Sequence, residues 1–199
     1  MIYIEFIDRD RHTPMEVFRY FADQSSWVDP EDGLVGMFGR TMRLGPYPAY
    51  LALWKTRGIA RMDEWEDYFR SEAYLRHHSE LATIRAIHLV RGGCYDLLVE
   101  GPAAAPDSLI CIEYFGAPAA MADAAVAERF RHREAEGKGA SLSFVLRRIG
   151  RLGPDPGCLA VWSFADYESL EAFQRTDLDG DPLGPVETGV YRWFGRDIL

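Results

Sequence analysis

The chain has 199 residues, and 22 Lys and Arg against 31 Asp and Glu leave a net charge of −9 before histidine is counted. That balance excludes a basic nucleic-acid footprint, and 48% hydrophobic with 27% charged residues is the composition of a globular protein and not of a disordered acidic tail. No stretch reaches the roughly 20 apolar residues of a membrane-spanning helix, so the expected setting is cytoplasmic, with neither membrane nor nucleic acid as partner.

Residues 2–7 alternate and predict a strand, and Asp8, Arg9 and Asp10 follow before any apolar run attains signal-peptide length. Ile2, Ile4 and Phe6 on one side, with Tyr3 and Ile7 on the other, imply a strand covered on both faces. Glu5 interrupts it and is expected to pair with a basic or backbone group. Met15, Val17, Phe18 and Phe21 predict a helix over 14–22, with Thr13 as N-cap and Pro14 at its first position. Val35–Leu44 and Ala49–Arg57 read as two strands reversed by Gly45-Pro46-Tyr47-Pro48. A second helix opens near Met62 or Asp63 with Trp65, Tyr68, Phe69 and Leu75 on one side, and Tyr95–Glu100 closes the series as a strand. The order is βαββαβ, a ferredoxin-like unit.

The chain then repeats itself. Arg43-Leu-Gly-Pro-Tyr-Pro-Ala-Tyr-Leu-Ala-Leu-Trp54 matches Arg151-Leu-Gly-Pro-Asp-Pro-Gly-Cys-Leu-Ala-Val-Trp162 at 8 of 12 positions with an offset of 108 residues. At the same offset Ile2-Tyr-Ile-Glu-Phe6 meets Ile110-Cys-Ile-Glu-Tyr114; Glu64–Ser71 meets Ser169–Thr176 at 105, and Gly93-Cys-Tyr95 meets Gly189-Val-Tyr191 at 96. Two units are expected, residues 1–101 and 107–199, joined by a linker at 102–106. One four-stranded sheet with helices on a single face needs a cover, and the second copy is the obvious one. The expected fold is therefore α+β: two tandem ferredoxin-like units whose antiparallel sheets pack across a pseudo-twofold axis into an intrachain α+β barrel.

Tyr50-Leu-Ala-Leu-Trp-Lys55 followed by Asp63–Tyr74 resembles the strand-and-helix passage of the dimeric α+β barrel superfamily, in its NIPSNAP, EthD-like and antibiotic-biosynthesis monooxygenase branches. The resemblance covers nearly the whole chain and rests on packing motifs. It implies a ligand cavity between sheet and helices in each unit. It does not imply one activity, because the superfamily includes cofactor-free oxygenases, isomerases, cyclases and haem enzymes.

Chemistry-bearing residues are concentrated in the first unit. It carries nine extra residues between its second helix and last strand, a segment containing Tyr74, His77, His78, Arg85 and His88, and it also holds His12. A histidine with a pKa near 6.5 suits proton transfer at neutral pH, and Arg57 or Arg85 would stabilise a developing anion. Trp27, Trp54, Trp65 and Tyr20 are candidates to line an apolar pocket for an aromatic ligand. Arg43 and Arg151 recur beside the shared turn, which suggests structure, not catalysis. A haem enzyme of this superfamily would need an axial histidine in the second unit, where His132 is the sole choice.

No GxGxxG, P-loop, GxSxG or HExxH is present, and Asp177-Leu-Asp-Gly-Asp181 lacks the glycine and glutamate spacing of a calcium loop. Cys94, Cys111 and Cys158 are odd in number and far apart, and are expected to be reduced. The leading expectation is an enzyme without cofactor or metal, of lyase or isomerase type, acting on a small aromatic molecule. A cofactor-free monooxygenase is the nearest alternative, and a non-catalytic ligand-binding or assembly protein is the third. A small-molecule substrate is the expected partner, and a homodimer is compatible with the pattern.

Overall fold

The computed structural model describes residues 1–9, 33–72, 87–105, 108–117, 121–137, 139–175 and 183–194. In chain order these form β1 (Ile2–Arg9), β2 (Gly33–Arg40), β3 (Tyr50–Lys55), α1 (Arg61–Arg70), β4 (Ile87–Glu100), β5 (Leu109–Phe115), α2 (Asp123–Glu136), β6 (Ser141–Arg148), β7 (Cys158–Phe164), α3 (Tyr167–Gln174) and β8 (Pro185–Phe194). The helix expected over 14–22 lies outside the described residues. β4 begins at Ile87, eight residues before the expected Tyr95, because its early part continues to pair with β1 as far as Arg9 opposite Ile87.

All eight strands pair antiparallel in one closed barrel, in the order β1-β3-β2-β8-β5-β7-β6-β4 and back to β1. Within it the first repeat contributes β4-β1-β3-β2 and the second β8-β5-β7-β6, the same neighbour order twice. The two sheets do not lie face to face as separate layers. Their outer strands join through β2–β8 and β4–β6, so the cover that each sheet needs is the opposite wall of a shared barrel. Closure of this kind leaves no open edge.

Alternation along β1 sorts its side chains between two environments. Ile2, Ile4 and Phe6 point into the barrel, where they meet Phe38, Leu51, Leu53, Tyr95, Ile110, Ile112, Tyr114, Phe144, Leu146, Leu159, Val161 and Tyr191, drawn from the other seven strands. Tyr3, Glu5 and Ile7 point to the outer, helix-bearing side. On the second repeat that side is filled by Phe115, Phe130, Trp162, Phe164 and Phe173 with Val126 and Leu170. On the first it holds the smaller cluster Ile7, Leu34, Met37 and Ala52, with Tyr50 and Trp54 against it.

The repeated Arg-Leu-Gly-Pro turn is explained by closure. In the first repeat Leu44 accepts from the Val190 amide and Thr41 donates to the Val190 carbonyl, both at 2.9 Å; in the second, Leu152 accepts from Cys94 at 2.8 Å and Ile149 donates to Cys94 at 2.9 Å. Each turn thus docks on the last strand of the other repeat. Arg40 clamps the first turn through the Gly45 and Pro46 carbonyls, and Arg148 clamps the second through that of Gly153, each at 2.9 Å. The structural role expected of the arginine at this turn therefore belongs to Arg40 and Arg148, at the strand ends, while Arg43 and Arg151 are exposed.

Gly45 has φ +118°, and a Cβ there would sit 2.4 Å from the Gly189 Cα; Gly153 has φ +146° and would press on Gly93 at 2.9 Å. Both the dihedral and the contact demand glycine. Gly45→Ala should cost about 2 to 3 kcal/mol in urea unfolding, whereas Gly58→Ala, with open space around its Cβ, should change stability by less than about 0.5 kcal/mol. Equal effects of the two substitutions would contradict this account of closure.

Among the described residues no helix is long and apolar enough to cross a membrane. Cys111 and Cys158 are buried, Cys94 is half-buried, and all three are free thiols.

Candidate functional site

The outer face of the second repeat shows how this fold accommodates a carboxyl in the middle of a strand. α2 carries Val126, Phe130 and Arg133 on its sheet-facing side by i, i+4, i+7 spacing, and all three are buried. Arg133 Nη1 donates to Glu113 Oε2 at 2.5 Å and Nη2 donates to Oε1 at 2.9 Å, a bidentate pair. Trp162 Nε1 donates to the same Oε2 at 2.8 Å, and Gln174 reaches Oε1 at 3.5 Å. The guanidinium lies over the Phe173 and Trp162 rings, 4.3 and 5.4 Å from their centroids. Glu113 is 1% exposed and fully partnered. It is a structural ion pair.

The first repeat places the same two residue types in the same register with a different outcome. Ala52 stands opposite Glu5 and Trp54 opposite Tyr3, as Ala160 stands opposite Glu113 and Trp162 opposite Cys111. Trp54 Nε1 donates to Glu5 Oε2 at 2.8 Å, repeating the Trp162 bond. Among the described residues no arginine or other base reaches Glu5. Burial without a counter-charge pushes its carboxyl up to about 7, against the smaller opposing effect of the Trp54 hydrogen bond. The side chain is only half-buried by contact with solvent, so it is desolvated by its surroundings yet still reachable.

The residues around Glu5 form an aromatic wall. Trp65 of α1 stands edge-on to Trp54 and to Tyr3, with ring centroids 6.0 and 6.1 Å apart. Its Nε1 is buried and has no hydrogen-bond partner among the described residues. On the other side Glu5 faces Gly92 and Tyr3 faces Cys94 across β1–β4. Burial, then the negative charges of Glu5 and Cys94, push the Tyr3 phenol up to about 12, and burial raises the Cys94 thiol. With Ala52 on one flank and Gly92 on the other, no bulky side chain directly opposes Glu5 on either neighbouring strand. A carboxyl that titrates near neutrality, bounded by aromatic rings and neutral donors, is equipped to give or take a proton from a small apolar molecule.

Trp54 and Trp65 are thus brought together, on the face where a cavity was expected. His12, Tyr20, Trp27, Tyr74, His77, His78 and Arg85 lie outside the described residues. His88, expected between the second helix and the last strand, belongs to β4, opposite Asp8 of β1. Arg57 is exposed on the connection between β3 and α1. Glu5, Tyr3 and Cys94 were not among the expected site residues.

No protein-family model matches the chain, and no curated protein matches it in sequence. Among solved structures it is similar to chlorite dismutase from Candidatus Nitrospira defluvii. An arginine-to-lysine variant of that enzyme aligns with a TM-score of 0.58 at 10% identity, covering 99% of this chain and 92% of that one. A tryptophan-to-phenylalanine variant in complex with cyanide aligns at 0.55 and 11%, with the same coverage. At this identity the likeness is one of fold. It agrees with the expected α+β barrel and does not single out the NIPSNAP, EthD-like or antibiotic-biosynthesis monooxygenase branches.

The described residues of the second repeat do not fit a haem group. The space between its sheet and helices is occupied by Phe115, Phe130, Trp162 and Phe173 around the Glu113–Arg133 pair. His132, the axial candidate, lies on α2 with its side chain 63% exposed and its Nδ1 3.3 Å from Glu136.

Proposed function

We propose that the chain is an enzyme of small-molecule metabolism in which Glu5 transfers a proton on an aromatic or enolisable substrate, a reaction of lyase or isomerase type. In this reading residues 1–101 and 107–199 are two ferredoxin-like units joined at 102–106, the first holding the working pocket and the second acting as its buttress. The observation that carries it is the divergence of the two matched carboxyls: Glu113 is neutralised by Arg133, while Glu5 keeps Trp54 alone among the described residues. A purely structural carboxyl would be expected to resemble Glu113, since an uncompensated buried acid costs stability. Such a cost is commonly retained where chemistry needs it.

Glu5 takes over the acid–base role first expected of histidine, and His12, His77, His78 and His88 are proposed as auxiliary groups. Trp54, Trp65 and Tyr3 supply the flat apolar surface that an aromatic substrate would face. Turnover of a panel of aryl ketones and phenolic acids tests the reading. The expected kcat/KM profile changes near pH 7, and Glu5→Gln lowers it by about 100-fold or more, the usual scale for a general acid or base. Unchanged turnover in Glu5→Gln would end the proposal; oxygen consumed in step with product would favour the monooxygenase.

A further inference from the structure

Antiparallel closure sets the ends of β2 and β6 and the starts of β4 and β8 at one end of the barrel. The two Arg-Leu-Gly-Pro turns share that end, each docked on the other repeat's last strand. Exposed apolar side chains collect there in matched pairs. Leu44 and Leu152 are counterparts on the turns, and Val90 and Val186 are counterparts at the offset of 96 residues. Both valines sit at the same break in the ladder. Phe6 faces Arg91 and Ile7 faces Leu89, which makes Val90 the extra residue; Tyr114 faces Glu187 and Phe115 faces Pro185, which makes Val186 the extra residue. A β-bulge re-aims a side chain, and in both repeats it leaves an apolar one in solvent.

The first turn goes further. Met42 and Arg43 have φ +52° and +60°, left-handed values that are costly for an L side chain. At the position of Met42 the second repeat has Gly150 with φ +55°, the residue that adopts this backbone freely. Met42 thus carries a backbone cost and is also 79% exposed, with Tyr47 on the same turn 58% exposed. Folding does not call for methionine there, since the second turn closes with glycine. Contact with a partner would use it, because a flexible thioether adapts to an apolar surface.

We infer that this end of the barrel is the interface of a homodimer, in which a second copy of the chain covers Met42, Leu44, Tyr47, Val90, Leu152 and Val186. Their exposed portions amount to about 600 Å², the upper end of what a monomer ordinarily shows in one patch. An interface of standard size takes roughly 800 Å² from each partner, a little over half of it apolar, so these side chains suffice. The charges on this rim are of both signs, Arg43, Arg91 and Arg151 with Asp8, Asp155 and Glu187. A second copy can set arginine against acid in both directions, as a self-complementary interface requires. An anionic bilayer would meet the three acids with repulsion. The inference does not depend on the acid–base role of Glu5.

Sedimentation equilibrium of the full chain from about 1 to about 100 µM tests this, and the wild type should be dimeric at the upper end. Met42→Asp and Leu152→Asp should each weaken association by about tenfold or more. Met42→Gly should weaken it as well while leaving the fold at least as stable, because it removes the backbone cost. Ile59→Asp, at an exposed apolar residue on the connection between β3 and α1 at the opposite end, should leave association unchanged. Circular dichroism establishes that each variant is folded. Oxidation of Met42 by hydrogen peroxide, read by mass spectrometry in the wild type, needs no variant and should slow at least about threefold across the same concentrations. A wild type that stays monomeric would overturn the inference, and binding of that monomer to anionic vesicles would assign this end to a lipid surface instead. A dimer left intact by both Asp variants, with Met42 oxidised at an unchanged rate, would overturn it equally.

Discussion

Replacing Glu113 by Gln should destabilise the protein by about 3 to 5 kcal/mol, the usual cost of leaving a buried charge without its partner. Arg133 and Glu113 are 7% and 1% exposed at the side chain. Their bond anchors α2 to the middle of β5, and in Glu113→Gln the guanidinium would keep one amide oxygen and the ring faces but lose the charge that balances it. Arg133→Met should cost a similar amount, because Glu113 would then depend on Trp162 and the longer Gln174 contact. The double variant Glu113→Gln with Arg133→Met should lose clearly less than the sum, since each change removes the charge that the other strands. Urea unfolding of all three variants measures this. Additive losses would mean that the two residues do not act as a pair.

The matched substitution in the first repeat should act in the opposite direction. Glu5→Gln keeps an oxygen for the Trp54 hydrogen bond and removes a charge that no described residue compensates. The folded-state carboxyl is raised from 4.5 to about 7, so the native state holds this proton more tightly than the unfolded chain does. Below about pH 4.5 the group is neutral in both states and costs nothing. As pH rises toward 7 the cost grows, and above 7 it is fully present. At about 1.4 kcal/mol per tenfold change this amounts to roughly 3 kcal/mol, a ceiling because the side chain retains some contact with solvent. The variant should therefore be more stable than the parent at pH 8 by as much as about 3 kcal/mol and nearly equal to it at pH 4.5. A gain that does not depend on pH would point to packing instead of charge.

These opposed outcomes from one matched pair explain how much of the site was legible beforehand. The repeat was visible because closure writes itself into side chains: the Arg-Leu-Gly-Pro turn must fit against a glycine on the other repeat's last strand, so Gly45 and Gly189, and Gly153 and Gly93, are constrained together. Joining of the sheets through β2–β8 and β4–β6 was not visible, because edge pairing uses backbone groups common to every residue. The start of β4 was obscured by Gly92-Gly93, which locally weakens a strand. In the fold these glycines instead make room for the Tyr3 and Tyr95 rings.

Glu5 and Glu113 were recognisable as counterparts, and both were expected to be structural. What separates them is Arg133, 20 residues from Glu113 in the chain and one helix away in space. Strand alternation carries no record of it. A histidine titrates near neutrality on its ordinary pKa alone; a glutamate enters the same range only through burial, which a linear sequence does not display.

The most direct measurement is the pH titration of the Glu5 side-chain carboxyl by carbon-13 NMR in the intact protein, its resonance assigned by its loss in Glu5→Gln. A midpoint near 7 is predicted, with Glu5 exchanging a proton in the range where an enzyme works. A midpoint near 4.5 would show an ordinary solvated carboxylate and would contradict the account at its root.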